Sequence, residues 1–131
     1  MRQVVLLVIG LFVGAACAFM LARGLDQQSA YPRGLMNVMQ HHMAELHRLE
    51  RAGQCGAQDT AGHTARIADL SHDVLGAFGS SGKDDPHLAD FTASLGRTAE
   101  AARAGSTDCP ALTKTLSQLG DACEACHREY R

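Results

Sequence analysis

Cys123-Glu124-Ala125-Cys126-His127 is the stretch whose residue types and spacing point most directly to chemistry. Two cysteines separated by two residues, with a histidine directly after, read as a c-type haem attachment site. On a helix, positions i and i+3 share a face, so both thiols can reach the two vinyl groups on one porphyrin edge. The next residue, His127, then turns its imidazole under the ring as the proximal iron ligand. Bare C-x-x-C also occurs in zinc ribbons and thioredoxin-like redox sites. Zinc would need a second ligand pair at matching spacing, and a thioredoxin motif would need a βαβ context. The sequence supplies neither, so covalent haem c is the expectation.

A haem held this way needs helices around it. The chain has 131 residues, one domain's worth once the N-terminus is set aside. It is rich in alanine, with four Phe, two Tyr and no Trp, a composition that suits a helical bundle better than a sandwich or barrel. A net charge of −2 leaves no basic footprint for nucleic acid.

Residues 4–22 form an apolar run of about 19 residues behind Arg2, close to the length that spans a bilayer. Ala16-Cys17-Ala18 offers a small-residue cleavage site, the mark of a secretory signal peptide. The run continues through Phe19, Met20 and Leu21 and stops at Arg23, which favours an uncleaved anchor. Either reading of residues 1–24 exports the rest to the oxidising, periplasmic side of a bacterial inner membrane. Residues 25–30 are a polar tether, and 31–131 the domain.

Tyr31-Pro32 is expected to open the first helix. Met36, Met39, Met43, Leu46 and Leu49 form its stripe, and Gly53 its end. A second helix after Asp59 or Thr60 carries Ile67, Leu70, Val74, Leu75 and Phe78, and Gly79-Ser80-Ser81-Gly82 stops it. A third starts at Pro86 behind Asp84 and Asp85, with Leu88, Phe91, Leu95, Ala99 and Ala102 as its stripe, and Gly105 closes it. The fourth starts near Pro110, capped by Asp108, and aligns Leu112, Leu116, Leu119, Cys123 and Cys126. Four helices with short loops predict an all-α, antiparallel four-helix bundle.

In that topology helix one begins where helix four finishes, which puts Met36 nearest His127. Met39 follows, and Met43 lies about 10 Å further along the axis. A thioether opposite histidine favours low-spin iron and a raised potential. Spacing alone leaves Met36 either the distal ligand or core filler.

CEACHREYR resembles the close of the class II cytochromes c, the cytochrome c′ family, whose pattern is C-x-x-C-H-x-x-Y-R. YPRGLMNVMQHHM is similar to that family's helix-one opening, and LSHDVLGAFG and DPHLADF to its second and third helices. The resemblance covers the chain from about Tyr31 onward. It implies that the residue five after the helix-one tyrosine sorts the branches. Leu or Phe there goes with five-coordinate iron that binds nitric oxide or carbon monoxide, and Met with six-coordinate electron carriers. Here it is Met36. The family's propionate-binding arginine is Pro32 here, with Arg33 next to it as the substitute. Arg131 would sit by the proximal histidine or a propionate. The resemblance therefore implies a periplasmic one-electron carrier, which meets redox-partner proteins at the haem edge. An enzyme such as a peroxidase is disfavoured, because two protein ligands leave the iron no open site and no acid-base pair is evident beside it. The alternative is a five-coordinate gas-binding or sensing protein. Members of this family often dimerise.

Cys55 and Cys109 fall in the two loops at the end away from the haem, a reasonable disulfide pair in an oxidising compartment, against two separate thiols. His41, His42, Glu45 and His47 cluster on helix one. His41 with Glu45, or His42 with Glu45, is spaced for a shared surface metal or a helix-face hydrogen bond, with solvated side chains the blander reading.

Overall fold

A computed structural model describes the backbone of residues 2–78, 82 and 84–130, and the side chains of all these except 4–6, 8 and 24–29. The expected place of Arg131, and most of the Gly79–Gly82 stop, fall outside the described residues. The protein is all-helical, with no strand among the described residues. Among the described residues its helices include α1 (Arg2–Arg51), α2 (Ala57–Ser71), α3 (Val74–Ala77), α4 (Pro86–Ala102) and α5 (Cys109–Glu129).

The chain divides into two compact units, Met1–Arg33 and Gly34–Arg131. In the first, Leu7, Ile9, Leu11, Phe12, Val13, Phe19, Met20 and Leu21 are exposed, and the Arg23 guanidinium lies 4.5 Å from the Phe19 ring centroid. Among the described residues no helix is long and apolar enough to cross a membrane. Helix one does not begin at Tyr31-Pro32. Helix α1 runs through both residues, with Pro32 inside it. Residues 25–31 contain neither glycine nor proline, so nothing local stops a helix there, and Pro32 costs it one backbone donor.

In the second unit the end of α1 and the starts of α4 and α5 have local causes. Gly53, at φ 72°, accepts the left-handed conformation that closes α1. Its N–H bonds the Glu50 carbonyl at 3.0 Å, and the Gln54 N–H bonds the Leu49 carbonyl at 2.9 Å. The Asp85 carboxylate caps α4 by accepting from the N–H groups of His87 (2.9 Å) and Leu88 (3.2 Å). Asp108 caps α5 by accepting from the Ala111 N–H at 2.8 Å. Both helices carry proline in the first turn, where a missing N–H leaves no gap.

The expected second helix is two pieces. It stops at Ser71, whose hydroxyl donates to the Ala68 carbonyl at 2.7 Å, and resumes at Val74. Ser71 and Asp73 carry side chains that compete with the helical ladder, and the interruption falls between them. Ile67 and Val74 are nevertheless both buried.

Helices α1, α2, α4 and α5 contribute Leu46, Ile67, Leu95, Leu112, Leu116 and Leu119 to one apolar cluster. Cys55 and Cys109 are joined by a disulfide across a sequence separation of 54, with Cα atoms 4.9 Å apart. Beside it, the Ser106 N–H donates to the Thr60 hydroxyl at 2.9 Å, and the Thr64 hydroxyl to the Arg103 carbonyl at 3.2 Å. Thr113 donates to Glu50, which ties α5 to α1.

Candidate cofactor site

The last helix delivers Cys123, Cys126 and His127 to a cavity of about 450 Å³ within the second unit. That volume lies inside the range of small-molecule and cofactor sites. Cys126 is buried and Cys123 half-buried, and both are free thiols. Burial pushes both thiols above their ordinary value, so they stand protonated at neutral pH, and Cys126 adds to the effect at Cys123. His127 is exposed on its outer side while it lines the cavity.

Opposite them, α1 contributes Met36, Met39 and Met43 to the same cavity. Met39 is buried in the apolar cluster, whereas Met36 and Met43 are half-buried at its margin. All three thioethers expected from the helix-one stripe therefore face the C-x-x-C-H segment across one space. Arg33 belongs to the first unit and is exposed.

Ile67 and Val74 close the cavity on one side, and Phe91, Thr92 and Leu95 of α4 on another. Gly120 lies one turn before Cys123 on the cavity wall, and a Cβ built there meets no atom within 4 Å. The wall therefore leaves open space beside the cysteines.

One lining feature escaped the sequence reading. The Tyr130 hydroxyl donates to the Asp85 carboxylate at 2.7 Å, and its ring packs edge-on to Phe91, centroids 6.1 Å apart. Asp85 thus caps α4 and also holds the residue one turn beyond His127. The bond holds the Asp85 carboxyl below its ordinary value and pushes the Tyr130 phenol up to about 12. Asp85 beside Pro86 signalled a helix start; nothing local signalled a partner 45 positions away.

The donor set suits covalent haem: two thiols at i and i+3, an imidazole beside them, and thioethers across an apolar space. Among the described residues, no group of three or more His, Cys, Asp or Glu side chains is arranged to hold a bare metal ion. No family model, curated protein or solved structure matches the chain.

Proposed function

We propose that this chain is an exported c-type cytochrome, a one-electron carrier whose second unit is an antiparallel four-helix bundle around a single covalent haem c. The observation that carries this reading is one cavity lined at once by Cys123, Cys126, His127 and the methionines of α1. Cys123 and Cys126 are the thioether attachment points, His127 the proximal iron ligand and Met36 the distal one. Met36 is preferred because Met39 is packed into the core, and Met43, half-buried like Met36, lies about 10 Å further along the helix from the expected His127 end. When bound, the haem supplies an iron that cycles between ferrous and ferric states.

The protein's own part is to hold position and exclude water. Ile67, Leu95 and Leu119 give the site apolar walls, which disfavour added charge and so favour the reduced state. Tyr130, fixed by Asp85 and Phe91, steadies the turn that carries His127. With both ligands on helices anchored in one core, little rearrangement accompanies electron transfer. In this reading redox proteins meet the exposed haem edge. On the same reading, residues 1–24 direct the chain to the periplasmic side of the inner membrane, as an uncleaved anchor or a cleaved signal.

The test is an optical spectrum of the exported chain in both redox states, with and without Met36→Leu. The expected result is covalent haem with low-spin bands and a methionine-to-ferric charge-transfer feature, which Met36→Leu converts to high-spin. A colourless mature protein refutes the cytochrome reading. Haem that is high-spin in the unaltered chain and takes up carbon monoxide readily replaces the carrier with a five-coordinate gas-binding protein.

A further inference from the structure

A pair of histidines away from the cavity joins α1 to α2. His42 and His63 are 21 positions apart, yet their Nδ1 atoms stand 3.0 Å from one another. The ring centroids are 5.3 Å apart and the rings tilted by 59°. Both residues are half-buried, and the His41 ring stands edge-on to His42 with centroids also 5.3 Å apart.

Two nitrogens each about 2.0–2.1 Å from one ion stand about 2.9 Å apart at a right angle and about 3.3 Å apart at the tetrahedral angle. The observed 3.0 Å lies at the right-angle end of that interval. Imidazole nitrogens near a right angle are the donor arrangement of tetragonal copper(II), which also binds such donors more tightly than other divalent first-row ions. We infer that His42 and His63 form a two-imidazole site for a divalent late first-row metal ion, copper(II) foremost, that clamps α1 to α2 with water in the remaining positions.

The surroundings fit this role. Burial, the first cause, and the neighbouring His63, His41 and Arg66 hold the His42 imidazole below its ordinary value, so it is the neutral form that offers a lone pair. Glu45, one turn on from His42, is kept ionised mainly by Arg48, whose Nε donates to it at 2.7 Å. Its carboxylate also interacts with His41 and His63, which places an acidic group beside the imidazoles. Without a metal the same two nitrogens share one proton in a hydrogen bond, which keeps the site assembled.

The experiment is calorimetric titration of copper(II), buffered with glycine, into the full chain with any free thiol alkylated first. One ion per chain is expected, with nitrogen hyperfine structure from two imidazoles in the electron paramagnetic resonance spectrum of the unaltered protein. His42→Gln and His63→Gln should each raise the dissociation constant about tenfold or more, the scale on which metal sites respond to loss of a supporting group. His41→Gln should leave it within about threefold. Copper should raise the melting temperature of the unaltered chain by mass action and not that of His63→Gln. Failure to bind, binding indifferent to His63→Gln, or loss on His41→Gln instead would overturn the site and leave a hydrogen bond only.

Discussion

The two regions of the Gly34–Arg131 unit are built by opposite means. Around Cys55 and Cys109 the chain is closed by a covalent bond, by the Ser106 N–H donating to the Thr60 hydroxyl, and by a glycine with no room for a Cβ. Around Cys123 and Cys126 it is more open, with methionines across the cavity and a glycine at which an added Cβ would meet nothing within 4 Å. Cys109 and Cys126 lie on one helix, about 25 Å apart at the usual rise per residue. The closed region can be complete in the polypeptide alone; the open one gains its packing from whatever fills it. Stability and function are thereby separated along the same helices, and this separation can be tested by disturbing one region at a time.

The largest effect belongs to the closed region. Replacing both Cys55 and Cys109 by serine releases a 54-residue separation in the unfolded chain and should cost about 4 kcal/mol. Denaturant unfolding would measure it. The contrast requires that the visible spectrum of the folded, cofactor-loaded variant be unchanged; a spectral shift would mean that the two regions are coupled.

Two glycines sharpen the contrast. Gly105 has φ 81°, and a Cβ there would stand 2.7 Å from the Thr60 Oγ1 and 2.8 Å from the Ala61 nitrogen. Gly105→Ala should therefore destabilise the chain by about 1–3 kcal/mol, from left-handed strain and overpacking together. Gly120→Ala meets nothing within 4 Å and removes a helix-interior glycine, so it should stabilise the unloaded chain by up to about 1 kcal/mol. Its added methyl projects beside Cys123, so cofactor loading should fall while stability rises. Equal effects of the two substitutions on unfolding would erase the distinction.

Asp85 sits between these extremes, because it serves the fold and the cavity at once. Asp85→Ala removes the α4 cap and the Tyr130 partner, an expected loss of about 1–2 kcal/mol. Tyr130→Phe removes only the second, so the difference between the two variants isolates the cap. If Tyr130 steadies the His127 turn, Tyr130→Phe should broaden the ferric spectrum more than it lowers stability.

Much of this architecture is legible locally. Asp85-Pro86 and Asp108 with Pro110 carry both cap and first-turn signal within three residues, and both helices begin there. The C-x-x-C-H spacing placed its three side chains on one helical face, and Met36, Met39 and Met43 share their cavity because apolar periodicity reports a face. Tyr31-Pro32 misled, because proline is as compatible with a helix start as with an interior position that the flanking residues can sustain. Ser71-His72-Asp73 hid a break, because an apolar stripe continues across it in the pattern of residues though not in the backbone. The Thr60–Ser106, Asp85–Tyr130 and His42–His63 pairs have no local signature at all. Each joins residues made neighbours only by the packing of whole helices.

The smallest expected effect concerns the polar face of the same helices. Glu100 accepts from Arg103 Nε at 2.7 Å and pairs with His72 Nε2 at 2.9 Å, while Arg103 also reaches Asp69 at 2.8 Å. The Arg103 bond first, and His72 second, hold the Glu100 carboxyl down at about 2. A carboxyl whose folded value lies below its unfolded one adds stability that is fully present above the ordinary carboxylate range and is lost as pH falls toward about 2. Glu100→Gln should therefore flatten the acid limb of the stability profile between about pH 4.5 and 2, with little change at neutrality. The groups are solvent-exposed, so the gain is small and should shrink further with added salt. An acid limb unchanged by Glu100→Gln would assign the acid sensitivity of this chain to the other carboxyls held low, Glu45, Glu50 and Asp85, rather than to Glu100.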